Sequence, residues 1–343
     1  MREDLREYET AWSDLNRELD AVVASGLGLD AALRALHDQQ LSRGFIHDDL
    51  TRSRRYLIKD PTHSDRHFSA QYNPARANRF QGAGKKQPPP GAVSLNEGCF
   101  LCRENVHWQQ QGREFGYELH IEDRYYVAWM NPYPLLPNHM VIASREHMPQ
   151  TWRVNGSEHP TKSLRTIVTD LLTLASRLPG WIGFYNGAGA GASIPNHFHY
   201  QFMPRPDDYG PFPLERAAAG KRPSSCVLDD AYPLEFAHWH GNIEDLLDQA
   251  VPWLNAWARA DGAELTANVI AIAGECTREL DLYFVPRDPN RSGSAVMSGS
   301  IGGLEVLGEL IFSNEEERQR LENGDIDCAT VESLLSSIAV AIW

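Results

Sequence analysis

The sequence predicts an α+β fold, and three observations carry that reading. Runs rich in aromatic and β-branched residues mark strands at 125–130, 139–143 and 181–185. A helical stripe of Leu164, Ile167, Val168, Leu171, Leu172 and Leu178 over about 162–178 separates the last two. A further strand pair follows at 265–273 and 280–287, joined by a turn at 274–277. Strands with an intervening helix fit α+β better than an all-helical or all-β chain.

Taken in order, residues 9–41 carry apolar positions at helical spacing (Trp12, Leu15, Leu19, Val22, Val23, then Leu29, Leu33, Leu36 and Leu41), broken at Gly26-Leu27-Gly28. Residues 1–50 are therefore expected to form a helical arm. Residues 51–98 are expected to be a basic segment and linker. Between Arg52 and Lys86 there are nine basic residues and two acidic ones. That excess suits a small anionic ligand or a solvated basic face, and Lys59, Asn73, Arg76 and Arg79 are its candidate substrate-binding residues. The glycines and consecutive prolines of 81–91 disfavour any regular element there. Near the C-terminus, helices are expected at 314–324 and 329–341.

Composition narrows the function classes. At 343 residues the chain fits one elaborate domain or two joined modules. Its formal net charge of −14 argues against general nucleic-acid affinity. No stretch approaches the apolar length needed to cross a bilayer, and the N-terminus lacks the order of a secretory signal, so the chain reads as cytoplasmic with no membrane partner. Five cysteines, of which only Cys99 and Cys102 are close, do not make a disulfide framework. Cys226, Cys276 and Cys328 read as small buried residues.

The chemistry concentrates around His197-Phe198-His199-Tyr200-Gln201. Period-two alternation puts His197, His199 and Gln201 on one face and Phe198, Tyr200 and Phe202 on the other. Cys99-Phe100-Leu101-Cys102 has the spacing that grips one metal ion from a tight turn, with Gly98 helping the chain to bend; a redox dithiol and an accidental pair of buried cysteines are the alternatives. His147 and His197 complete a Cys2His2 set suited to structural zinc, since four protein ligands leave no open position. His107, His120 and His139 read as surface or core histidines. With His197 given to the metal, His199 is free to act as a nucleophile carrying a phosphoryl or nucleotidyl group. Gln201, Asn186, Ser193, Asn196 and the backbone amides of 187–191 are candidate donors around the phosphate, though the glycines alone could equally make a flexible hairpin.

These residues resemble the transferase branch of the histidine-triad superfamily, in which His-x-His-x-Gln replaces the three-histidine motif. The branch includes galactose-1-phosphate uridylyltransferase, diadenosine tetraphosphate phosphorylase and the GDP-hexose phosphorylases. Its likeness extends to Gln71-Tyr-Asn-Pro-Ala-Arg76, Asn131-Pro-Tyr-Pro134, Gly183-Phe-Tyr-Asn186 and Pro211-Phe-Pro-Leu-Glu215. The resemblance implies an antiparallel sheet with flanking helices, His199 as the nucleophile of a nucleotidyl-histidine intermediate, and Gln201 hydrogen-bonded to the phosphate. It implies ping-pong transfer of a nucleoside monophosphate from a nucleotide sugar or dinucleotide to phosphate or a sugar phosphate. A nucleotide hydrolase and a non-catalytic nucleotide-binding sensor are the alternatives. A homodimer is among the states it allows. The chain departs from the GDP-hexose phosphorylases by having the CxxC pair and from the uridylyltransferases by having Phe198 where they carry proline, so base and sugar are not carried over.

Phe202-Met-Pro-Arg205 recurs as Phe284-Val-Pro-Arg287, which sets Glu279, Asp281 and Tyr283 opposite His197, His199 and Gln201. Either the chain holds an internal duplication, with a zinc-bearing catalytic half at 99–216 and a degenerate half plus C-terminal helices at 217–343, or four residues match by chance.

Overall fold

The computed structural model describes residues 2–46, 50–63, 66–78, 95–154, 157–158, 163–219, 226–227, 232–260, 265–274, 279–291 and 296–342. The helical arm is α1 (Arg2–Val22) and α2 (Gly28–Ser42), joined by a π-helical turn in which Gly26 takes a left-handed φ of 89°. Then come β1 (Arg54–Lys59), β2 (His67–Tyr72), α3 (Arg103–Gln109), β3 (Tyr117–Ile121), β4 (Arg124–Met130) and β5 (Met140–Ser144). The short pair β6 (Arg153–Val154) and β7 (Ser157–Glu158) precedes α4 (Leu164–Ser176), β8 (Trp181–Asn186) and β9 (His199–Pro204). After α5 (Pro213–Ala218) come β10 (Cys226–Val227), β11 (Phe236–Gly241), α6 (Ile243–Ala260), β12 (Thr266–Ala273) and β13 (Leu280–Arg287). The chain ends with α7 (Gly303–Val306), β14 (Glu309–Phe312), α8 (Glu315–Asn323) and α9 (Cys328–Ser337). Among the described residues no helix is long and apolar enough to cross a membrane.

The central sheet has nine strands in the order β10-β11-β13-β12-β8-β9-β5-β4-β3, and every pair in it is antiparallel. The runs β4-β5-α4-β8-β9 and β10-β11-α6-β12-β13 place like elements in like order about the β8–β12 pair.

Alternation along β9 divides two apolar cores. Phe198, Tyr200 and Phe202 join Trp12, Leu33, Trp129, Leu171 and Leu254 on the side that carries α1, α2, α4 and α6, whereas Met203 joins Phe184, Ile270, Phe68, Leu310 and Leu335 on the side that carries β1, β2, β14 and the C-terminal helices. The edge strand β3 is protected by α1: the Asn16 side chain accepts from the Glu118 backbone N–H (2.7 Å) and donates to the Gly116 carbonyl (3.0 Å).

Residues 51–98 are not simply a basic linker. Their first part is the β1–β2 hairpin, which continues into a small three-stranded sheet because β14 pairs with β2 in parallel. Part of the basic excess is met by acidic residues from the C-terminal part of the chain. Arg55 Nη2 lies 2.8 Å from Glu309 Oε2, whose side chain is fully buried, and Arg66 Nη2 lies 2.7 Å from Glu332 Oε1. Charge asymmetry along the sequence thus becomes pairing between its ends. The proline-rich stretch 81–91 lies outside the described residues.

Gly183 gives a test of the β8–β9 contact. A Cβ there would sit 2.2 Å from the Phe202 ring, which is wholly buried. Gly183→Ala should destabilise the protein by about 1–3 kcal/mol in urea denaturation. Combining it with Phe202→Leu should cost less than the sum of the two single changes; strict additivity would deny the contact.

Candidate functional site

The site is built where β9 leaves the 187–198 loop. His199 is the first residue of the strand and is 3% exposed. Its backbone is clamped by the wholly buried Gln150, whose Oε1 accepts from the His199 N–H and whose Nε2 donates to the His199 carbonyl, both at 2.7 Å. The ring is oriented as well. His199 Nδ1 lies 2.8 Å from the His197 carbonyl, which can only accept, so Nδ1 carries the proton and Nε2 keeps its lone pair. Burial, the largest influence, lowers the imidazole pKa to about 4, so the ring is neutral near pH 7.

Gln201, one pleat further along the same face, is oriented by a residue that spacing alone did not single out. The Leu135 N–H donates to His139 Nδ1 at 3.1 Å, which leaves the proton of this neutral ring on Nε2 to be donated to Gln201 Oε1 at 2.9 Å. The Gln201 amide nitrogen is thereby the end turned away from His139. His139 is therefore not merely a core histidine. The signal was the phase of its strand: His139 immediately precedes β5, which pairs with β9 through Val141↔Gln201.

The candidate substrate-binding residues separate into groups. Asn73 donates to the Pro134 carbonyl (2.9 Å) and Arg76 to the Tyr133 carbonyl (2.6 Å), so both hold the 133–135 loop that orients His139. Lys59 is not brought to them. It pairs with His67 at the opposite end of the hairpin, six residues from Asn73 and roughly 20 Å away along an extended strand. Arg79 lies outside the described residues. Ser193 and Asn196 are on the loop entering β9, half-buried and exposed respectively.

The expected nest of amides at 187–191 is reduced by the loop's own packing. Gly187 N–H donates to the Ala267 carbonyl, Ala188 N–H to the Gln150 carbonyl and Ala190 N–H to the Gly187 carbonyl. Only the N–H groups of Gly189 and Gly191 lack a backbone acceptor among the described residues. Both glycines have left-handed φ, 80° and 92°, and a Cβ on either would meet backbone 2.4–2.5 Å away, at Pro289 and Gly302. Close approach, rather than flexibility, requires them.

Cys99, Cys102, His147 and His197 come together as a candidate metal centre, their ligand atoms all within 4.8 Å of one another. The turn that presents the thiols runs through three consecutive left-handed residues, Asn96, Glu97 and Gly98. His197 is fully buried, and its Nε2 donates to the Ser144 carbonyl at 2.7 Å, which leaves Nδ1 unprotonated and aimed into the cluster. Asn96 Nδ2 donates to Cys102 Sγ at 3.2 Å. The hydrogen bond between the two thiols lowers the pKa of Cys99 and raises that of Cys102.

Residues 36–204 match a family described as a domain of unknown function (DUF4922). No curated protein matches the sequence. Among solved structures, the chain is similar to yeast Ap4A phosphorylase Apa2 in complex with AMP, with 22% identity and a TM-score of 0.57 over 90% of this chain and 97% of that one. The complex of the same yeast protein with Ap4A gives 21% identity and a TM-score of 0.56 over 90% and 98% of the two chains. The likeness is one of fold, and it covers most of both chains. The chain therefore shares the α+β fold of that yeast protein.

Proposed function

We propose that the protein is a nucleotidyltransferase or phosphorylase that moves a nucleoside monophosphate through His199, from a nucleotide sugar or dinucleotide to phosphate or a sugar phosphate. The observation that carries this reading is the state of His199: neutral, its Nδ1 proton on the His197 carbonyl, its Nε2 without a hydrogen bond among the described residues. Nε2 attacks the phosphorus, a P–N bond forms, and the P–O bond to the leaving phosphate breaks with its electron pair on oxygen. The positive ring this creates is stabilised by the Nδ1–H bond to His197. An oxygen of the second acceptor then attacks phosphorus, and the P–N bond returns its electrons to the imidazole. Gln201 donates from its amide nitrogen to an equatorial phosphate oxygen in both steps. The yeast relative's complexes with AMP and Ap4A support nucleotides as the substrate class.

Water is a poorer second acceptor in this arrangement, because it needs a base. An amide such as Gln201 is not one, and His139 has its Nδ1 lone pair on Leu135 N–H and its Nε2 proton on Gln201.

The metal reading is structural zinc. Tetrahedral zinc with bonds of about 2.0 Å to nitrogen and about 2.3 Å to sulfur sets its ligand atoms about 3.3–3.8 Å apart. Here the Cys99–His197, Cys102–His147, Cys102–His197 and His147–His197 separations are 3.4, 3.3, 3.6 and 3.3 Å. Zinc in this set would tie the 99–102 turn to the start of β9.

Three outcomes are expected. Intact-mass analysis after incubation with Ap4A and a panel of nucleotide sugars should show one added nucleoside monophosphate, absent from His199→Ala; a label that survives this change would reject the nucleophile. Cys102→Ser should lower bound zinc, by elemental analysis, together with the melting temperature; zinc-free wild-type protein of full stability would count against the centre. In steady-state kinetics, His139→Leu and Gln201→Leu should each lower kcat/KM about 10- to 100-fold, with the double variant little worse than either. Multiplying losses would separate His139 from Gln201.

A further inference from the structure

The second copy of the Phe-x-Pro-Arg tetrapeptide ends in Arg287, and this arginine differs sharply from its counterpart. Arg205 is matched by a carboxylate, Glu215, 2.7 Å away. Arg287 is wholly buried at the end of β13 and forms no ion pair among the described residues. Its Nη1 donates to Asn268 Oδ1 (2.7 Å) and to the Ile301 carbonyl (3.0 Å), while Nε and Nη2 lack partners among the described residues. Burying a cation at this cost calls for a reason.

The hydrogen bonds beyond Arg287 supply one. An arginine only donates, so the Asn268 atom facing it must be oxygen. The Asn268 amide nitrogen then points the other way, donating to the Ala190 carbonyl (2.8 Å) and to Asn186 Oδ1 (2.7 Å). Asn186 is thereby fixed in turn, with its oxygen towards Asn268 and its NH2 group at the far end. That NH2 group has no acceptor among the described residues, and it lies against Gly302, where a Cβ would be 2.9 Å from it. Phe184 pairs with Gln201, so Asn186, two residues on, shares the face of β8 that adjoins His199.

We propose that Arg287 and Asn268 are positioning residues for the nucleotide site: the one-way donor Arg287 polarises Asn268, which presents the Asn186 NH2 group as a donor to the phosphate oxygens of a bound nucleotide. This rests on the transferase reading and adds to it what sets the polarity of the loop-side donor. The same amide bond to Ala190 braces the 187–191 loop, so one buried cation orders both.

Asn268→Asp tests the relay, because it preserves volume and keeps an acceptor for Arg287 but removes the donor. The Asn186 amide must then turn its nitrogen towards the new carboxylate and its oxygen towards the phosphate. Binding of AMP, GMP, UMP and CMP to the intact protein is measured by calorimetry, with melting temperatures recorded alongside. The expected result is about 10- to 100-fold weaker binding of the preferred nucleotide with a melting temperature within a few degrees of wild type. Asn186→Ala should lose a similar factor, and the Asn186→Ala/Asn268→Asp double variant should be no worse than Asn186→Ala alone. Arg287→Lys, which keeps a donor, should bind better than Arg287→Met. Unchanged binding in Asn268→Asp, or losses that multiply in the double variant, would overturn the relay while leaving the transferase reading standing. A wild-type protein that binds none of the four nucleotides would overturn that reading and the relay with it.

Discussion

The hydrogen bond from His199 Nδ1 to the His197 carbonyl is the constraint around which the site is organised. It fixes the tautomer that leaves Nε2 available, and it works only if the carbonyl is held still. His197 is held by its own ring, through Nε2 on the Ser144 carbonyl and Nδ1 in the cysteine–histidine cluster. Gln150 holds His199 itself, with a donor and an acceptor on its backbone. A small set of buried polar groups therefore orients one imidazole without any charged partner touching it.

The same logic recurs at the two amides that flank His199. An amide side chain can present either end, and only a neighbour with a single role can decide which. At Gln201 the deciding group is the Leu135 N–H, acting through His139; at Asn186 it is Arg287, acting through Asn268. In each case the deciding group lies outside the His-x-His-x-Gln motif, one before β5 and the other at the end of β13. Buried networks of this kind are costly unless every member is matched, and Arg287, with Nε and Nη2 unmatched among the described residues, is where that cost remains.

Much of the framework is legible in the sequence because it depends on local periodicity. The stripe from Leu164 to Leu178 yields α4, the break at Gly26 divides α1 from α2, and alternation from His197 to Phe202 sends three aromatics to the core. The CxxC spacing and the paired histidines likewise single out the cluster, since ligand type and turn length are local properties. What spacing misread was partnership. Lys59 looked like part of an anion site but sits at the far end of a hairpin, and Arg55 and Arg66 face Glu309 and Glu332 from the other end of the chain. The glycines of 187–191 looked like a nest but mostly serve close backbone packing.

The sequence by itself determined the α+β class, the two faces of β9 and the residue types able to bind a metal or attack phosphorus, because side-chain chemistry and strand period are written in consecutive residues. Only the tertiary structure decided which nitrogen of His199 is free, which end of Gln201 and Asn186 faces outward, and which basic residues are already matched. The amide ends and the ion pairs depend on partners tens to hundreds of residues away, and the His199 tautomer on a carbonyl two residues back whose position is fixed by the folded surroundings of His197 and His199.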